Sequence, residues 1–158
     1  MIKILFVCHG NICRSPIAEF VFKDMLEKRG LEKEFFVASA ATSSEEIWNG
    51  VGNPVYPPAR EELAKHGISC KGKRAVQLTR EDYEKYDYLL GMDQWNLRNM
   101  KRILKREQGE KVRLLLDYSS HPRDIADPWY TGDFARTYAD IVEGCEAFLG
   151  YLEEQKRI

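Results

Sequence analysis

Cysteine is scarce in this chain, four in 158 residues, and Cys8, Cys13, Cys70 and Cys145 include no C-x-x-C pair. That spacing excludes a disulfide framework, structural zinc and a thioredoxin-type redox site. Reduced thiols in a cytoplasm are the expectation. Long apolar runs are missing as well. The run from Ile2 to Val7 is too short for a signal-peptide core and far below the ~18–20 residues that span a bilayer, which points to a protein neither secreted nor membrane-inserted. An excess of either charge is also absent, with 24 Lys plus Arg against 25 Asp plus Glu and a formal net charge of −1. Such a balance offers no diffuse attraction for nucleic acid or acidic lipid, so any anion must be recognised in one local pocket.

What is present suits one domain over residues 1–158, since a chain of this size buries roughly 68–70% of its unfolded surface. Ile2–Val7, apolar apart from Lys3 and rich in β-branched residues, reads as a strand buried on both faces. Ser15 is the expected N-cap of a helix with Pro16 in its first turn, carried by Ile17, Val21 and Met25 and stopped at Gly30. Phe35–Ala40 reads as a second strand, Thr42–Pro58 as a long functional loop and Pro58–His66 as a helix ending at Gly67. Tyr86–Met92 reads as a third strand, preceded by a short helical turn that Thr79 could cap. Asp93 can cap the next helix, whose stripe is Leu97, Met100 and Leu104. Its cluster of Lys101, Arg102, Lys105 and Arg106 reads as a solvated face. Val112–Leu116 is a fourth strand and Asp117–Gly132 a second long loop. Phe134, Tyr138, Ile141, Cys145, Phe148 and Leu152 then recur at helical spacing. The alternation predicts an α/β three-layer sandwich, a four-stranded parallel open sheet in the order 2-1-3-4 with helices on both faces.

In such sheets ligands bind beyond the carboxyl ends of the strands, and here the turn after the first strand is VCHGNICRSP. It lacks the glycine and lysine arrangement of a nucleotide P-loop. It does combine Cys8, Gly10, Arg14 and Ser15 at a strand-to-helix junction. Backbone N–H groups of residues 9 to 15 (His9, Gly10, Asn11, Ile12, Cys13, Arg14, Ser15) can form an anion nest, with Gly10 supplying the φ freedom and Arg14 a planar fork for phosphate oxygens. Helix N-termini and neighbouring arginines favour thiolate over thiol, and the Ser15 hydroxyl can donate to the sulfur. Cys8 therefore reads as a nucleophile on the floor of a phosphate cradle. Cys13 lies near enough for a reversible disulfide that guards Cys8 from over-oxidation. Cys70 and Cys145 read as packing. A leaving alkoxide or phenoxide needs a proton donor. Asp127, before Pro128, Trp129 and Tyr130, is the candidate, with Asp93, Asp117, Asp124 and Asp133 left as caps or turn residues.

These residues resemble the low-molecular-weight protein tyrosine phosphatases. CHGNICRSP matches their C-x-G-N-x-C-R-S-P signature and DPWY their D-P-x-Y acid loop. SAAT, YDYLLGMD and the HGI of residues 66–68 match further landmarks, so the resemblance runs along nearly the whole chain. It implies hydrolysis of phosphotyrosine through a phosphocysteine, without metal or other cofactor, with Cys8 as nucleophile, Arg14 as phosphate clamp and Asp127 as general acid and base. It further implies that Asn11, Ser39 and His66 support the loop and that His9, Trp48, Trp129 and Tyr130 line the substrate slot. The implied partners are phosphotyrosine-containing proteins, a bacterial-type tyrosine kinase among them, with no nucleic acid or membrane partner and a monomeric chain. Three positions depart from the pattern: His9 stands where an aliphatic or small residue is usual, Ala41 replaces a common Gly, and VYPPAR lacks an Asp before the proline. Related families leave alternatives. Thioredoxin-coupled arsenate reductases need a pair of further cysteines where only Cys70 occurs, and protein arginine phosphatases carry Thr where this chain has Ile12. A silent phosphoprotein-binding module would have lost Cys8, Arg14 or Asp127, and all three are present.

Overall fold

The computed structural model describes residues 1–105 and 111–158. Four parallel strands form the main sheet: β1 (Ile2–Cys8), β2 (Phe35–Ala41), β5 (Tyr88–Gly91) and β6 (Val112–Leu114). Their spatial order is β2-β1-β5-β6, which is 2-1-3-4 when only these strands are counted in chain order. A separate antiparallel hairpin joins β3 (Ile47–Trp48) to β4 (Val51–Gly52). The helices are α1 (Arg14–Lys28), α2 (Pro57–Lys65), α3 (Asp82–Lys85), α4 (Gln94–Leu104), α5 (Pro128–Thr131) and α6 (Phe134–Glu154). None of the described helices is long and apolar enough to cross a membrane.

The apolar character of β1, broken only at the half-buried Lys3, follows from burial on both sides. Ile2, Ile4, Phe6 and Cys8 join one core with Ile17 and Phe22 of α1 and Ile141 and Phe148 of α6. Leu5 and Val7 point the other way, into a core with Leu97, Met100 and Leu104 of α4. Alternate residues of a strand face opposite sides, so Cys8 arrives at the end of β1 on the α1 side. Phe22 anchors that side, with ring centroids 5.7 Å from Phe6, 5.8 Å from Phe35 and 5.7 Å from Phe148. Its truncation to Ala would cost about 3–5 kcal/mol.

Several boundaries differ from the sequence reading. α1 starts at Arg14 with Cys13 at its N-cap, so Ser15 is inside the helix and its hydroxyl is released for another partner. The long loop of residues 42–58 contains the β3–β4 hairpin, turned by Asn49 and Gly50 at φ 50° and 77°, the conformation an Asn-Gly pair favours. Gly52 fits there because a Cβ would lie 1.9 Å from the Ala75 carbonyl oxygen. Thr79 does not cap α3: its N–H and hydroxyl both donate to Asp82. The fourth strand stops at Leu114, where the Asp117 carboxylate accepts the Leu114 N–H at 3.0 Å and closes a 3-10 turn over Leu115–Tyr118. The third strand is shortened to Tyr88–Gly91. Gly67, at φ 74°, follows α2 as expected of a residue past a helix C-terminus. Arg106, of the basic cluster, lies outside the described residues.

Candidate active site

The turn between β1 and α1 wraps the Cys8 sulfur in donors. The N–H groups of Asn11 and Ser15 approach Sγ at 3.3 Å and 3.4 Å, and the Ser15 Oγ lies 3.0 Å away. The direction of that last contact follows from the Asn11 amide. Its Oδ1 accepts the backbone N–H of Val76 at 3.0 Å, so its Nδ2 must face the hydroxyls, donating to Ser15 Oγ at 2.6 Å and Ser39 Oγ at 3.0 Å. Ser15 Oγ thereby accepts from Asn11 and has its own hydrogen free for the sulfur. Three donors thus converge on one sulfur.

The positive φ of this turn falls on Asn11 (59°) and not on Gly10. Asn tolerates the left-handed region because its short polar side chain bonds locally, and here that side chain is fully committed. Gly10 serves space instead: a Cβ there would come within 3.3 Å of Glu46 Cγ. The support continues away from the sulfur. Ser39 Oγ donates to Glu19 Oε1 at 2.6 Å, and Lys73 Nζ donates to the Ser39 carbonyl at 3.0 Å and pairs with Glu19 at 3.6 Å. Burial pulls the Lys73 ammonium below its ordinary range, against Glu19, which pulls it up. His66 is not part of this assembly. Its Nε2 lies 3.1 Å from Glu62 and its ring stacks on Tyr138 at 3.8 Å; Asn11 and Ser39 are joined as expected, and Glu19 with Lys73 takes the place assigned to His66. Sequence spacing carries no signal for Lys73, although a glutamate inside the first turns of a buried helix marks Glu19 as paired.

Arg14 is 2% exposed and turns one end of its guanidinium inward. Nη1 donates to Asp93 Oδ2 at 2.7 Å and to the Ile125 carbonyl at 2.8 Å, while Nη2 reaches Asp127 Oδ2 at 3.5 Å. Burial opposes its charge, but Cys8, Asp93 and Asp127 outweigh that and raise its pKa. Asp93 therefore does two jobs: Oδ1 caps α4 through the Asn96 N–H at 2.8 Å, as the sequence indicates, and Oδ2 holds Arg14. Asp127 is also bifunctional, capping α5 through the Trp129 N–H at 3.0 Å. Cys13 is buried, and burial, then Cys8 and Asp127, push its thiol up to about 12.

These groups border a cavity of about 370 Å³. Cys8, Ile12, Cys13 and Arg14 line it from the cradle, Asp127, Trp129 and Tyr130 from the acid loop, and His9, Glu45 and Glu46 from the remaining rim. Trp129 packs on Tyr56, ring centroids 4.9 Å apart. Of the four residues expected in the slot, His9, Trp129 and Tyr130 line it, whereas Trp48 is 85% exposed on the hairpin and lies outside the lining. A larger cavity of about 480 Å³ beside Cys70 brings no acid or nucleophile pair together. Glu45, Glu46 and Asp93 are site residues that the sequence reading missed.

A family model described as low molecular weight phosphotyrosine protein phosphatase matches residues 3–158. The chain is 37% identical over 160 residues to the low molecular weight protein-tyrosine-phosphatase YfkJ of Bacillus subtilis, covering 100% of each. The crystal structure of YfkJ superposes with a TM-score of 0.90, covering 99% of this chain and 97% of that one at 36% identity. A human low molecular weight phosphotyrosine protein phosphatase is 40% identical over 152 residues, 93% of each chain. The crystal structure of a Drosophila arginine phosphatase, DARP, matches with a TM-score of 0.84 at 30% identity, over 95% of this chain and 97% of that one. With its sheet order, its cradle and these matches in hand, the chain belongs to the low molecular weight phosphotyrosine protein phosphatase family.

Proposed function

We propose that this chain, acting as one phosphatase domain in the cytoplasm, hydrolyses phosphotyrosine monoesters on proteins. The observation that carries the reading is the convergence of three donors on Cys8 Sγ beside the buried guanidinium of Arg14. Cys8, as thiolate, attacks phosphorus; the bond from phosphorus to the tyrosyl oxygen breaks and Asp127, in its acid form, gives that oxygen a proton. Arg14 and the N–H groups of the turn stabilise the charge spread over the phosphoryl oxygens. A water then attacks the phosphocysteine, Asp127 takes the water's proton, and the S–P bond breaks to release phosphate and the thiolate. Peroxide would convert Cys8 to a sulfenic acid, from which the Cys13 thiol displaces water to close a protective disulfide. Non-reducing mass spectrometry after peroxide tests that step by finding or failing to find the Cys8–Cys13 bridge.

Tyrosine is favoured over arginine by Ile12, which lines the cavity and offers an aryl ring an apolar contact opposite Trp129. The presence of arginine phosphatases among the structural relatives supports a second reading, phosphoarginine hydrolysis. Turnover of an aryl phosphate, a phosphotyrosine peptide and a phosphoarginine peptide by wild type, Cys8→Ser and Asp127→Asn decides between them. The expected result is turnover of the first two, abolished in Cys8→Ser. Wild-type activity in Cys8→Ser would overturn the mechanism, and faster phosphoarginine turnover would overturn the substrate.

A further inference from the structure

The floor and the mouth of the cavity carry opposite preferences. The floor binds an anion through Arg14 and backbone N–H groups. Arg14 is the one Lys or Arg among the cavity-lining residues, and it is already paired with Asp93 and Asp127. The mouth presents Glu45 and Glu46. Neither is a chance surface residue in free orbit. Glu46 accepts from Asn53 Nδ2 at 3.0 Å, and its carbonyl accepts the Asn53 N–H at 2.8 Å, which ties it to the base of the β3–β4 hairpin. The next residue, Ile47, packs on the cluster of Ile12, Cys13 and Ala75, and Glu46 itself lies against the cradle, its Cγ 3.3 Å from where a Cβ of Gly10 would stand. Glu45 lies 3.1 Å from His9 Nε2, held on the same side. Trp129 and Tyr130, 56% and 85% exposed and themselves uncharged, stand with Asp127 on the acid-loop side.

We propose that Glu45 and Glu46 determine substrate specificity, selecting phosphotyrosines flanked by lysine or arginine and disfavouring those flanked by glutamate or aspartate. The inference rests on the phosphotyrosine reading above and adds the class of sequence around the phosphate. The phosphotyrosyl ring fills the slot against the aromatic wall, and a basic flanking side chain meets the carboxylates on the opposite rim. Each rim contact is solvent-exposed and worth a few-fold in kcat/KM, so two contacts and their reversal amount to about tenfold between a basic and an acidic flank. The repulsion of the phosphate itself by these carboxylates is common to every substrate and cancels in a ratio.

Three phosphotyrosine peptides that differ only in having Lys, Ser or Glu on both sides of the phosphotyrosine test this in the full chain. Wild type is expected to rank them Lys, Ser, Glu in kcat/KM, with about tenfold from first to last, and the ratio is expected to collapse to within about twofold in Glu45→Gln/Glu46→Gln. Glutamine keeps the acceptor for Asn53. The same collapse is expected for wild type in ~1 M salt, where the screening length falls to about 3 Å, which tests the idea without any variant. Equal rates across the panel, or a ratio unchanged in the double variant, would overturn the specificity while leaving the phosphatase reading intact. Failure to hydrolyse any of the three peptides would overturn both.

Discussion

The cradle of residues 8–14 and the acid loop of residues 119–132 meet across one cavity, and they are held by different means. In the cradle Cys8, Asn11, Ile12, Cys13 and Arg14 are each 9% exposed or less. Asn11 makes its side-chain bonds to Ser15, Ser39 and Val76 in the interior. The acid loop is fastened by backbone carbonyls, Met92 accepting from Ile125 and Ala126 from Thr137, and by a cluster in which the half-buried Arg123 joins the buried Asp140 and the half-buried Glu143. Its tip leaves Trp129 and Tyr130 open to solvent. The difference teaches that the proposed anion site is part of the folded interior, where a lost partner is felt as stability, while the proposed proton donor sits on a surface feature, where a lost group is felt as rate.

The largest effect expected from this contrast is on the acid side. Asp127→Asn keeps the cap on α5, since Asn caps as well as Asp, and removes the proposed proton donor. Turnover of a phosphotyrosine peptide should fall about 10²–10⁴-fold, with Tm within about 2 °C of wild type. A large loss of Tm would show the acid loop to be as structural as the cradle. On the cradle side, Cys13 with its thiol pushed up to about 12 remains protonated until the pH approaches that value. Iodoacetamide at pH 8 should label it about 10³-fold more slowly than a free thiol of pKa ~8.5. Rapid labelling would mean the cradle opens.

Asn11→Ala should come next. It leaves the Val76 N–H and two buried hydroxyls short of a partner and places Ala at a left-handed φ, together about 3 kcal/mol or more. Thermal unfolding should show a fall in Tm of several degrees, and an unchanged Tm would remove the distinction between the two loops. The smallest effect belongs to the surface cluster. Hydrogen bonds from Arg123 first and then Ser119 hold the Glu143 carboxyl down at about 2, below its ordinary value. A carboxyl depressed in this way adds stability above its ordinary value and loses it as pH falls through the lowered one. Arg123→Gln should therefore have a slightly lower Tm than wild type at pH 7, a difference that closes as pH approaches about 2. A gap that persisted there would assign the effect to packing.

How far the sequence discloses this site depends on whether its parts are adjacent in the chain. β1, the turn and α1 are contiguous, so Cys8, Arg14 and Ser15 can be read from one short motif, and the alternating β/α pattern places that motif at the end of a central parallel strand. Asp127 is remote but is marked by Pro128 and the aromatics after it. The Asn49-Gly50 pair between Trp48 and Val51 carries a hairpin signal that a reading of residues 42–58 as loop passes over. Lys73 and His66 illustrate the limit. Both follow α2, both are chemically suited to the Asn11–Ser39 network, and which of them reaches it is decided by how the segment of residues 66–78 lies against β2. Asp93 is similar: its cap on α4 is a local matter, but its bond to Arg14 joins residues 79 positions apart.

The central claim, that Cys8 is the nucleophile of a phosphate cradle, is tested most directly by acid-quenching the enzyme during turnover of a phosphotyrosine peptide and mapping phosphate by mass spectrometry. The account predicts phosphate on Cys8 in wild type, accumulating further in Asp127→Ala, and none in Cys8→Ala. Phosphate on another residue, or full turnover in Cys8→Ala with no phosphoenzyme at all, would contradict it.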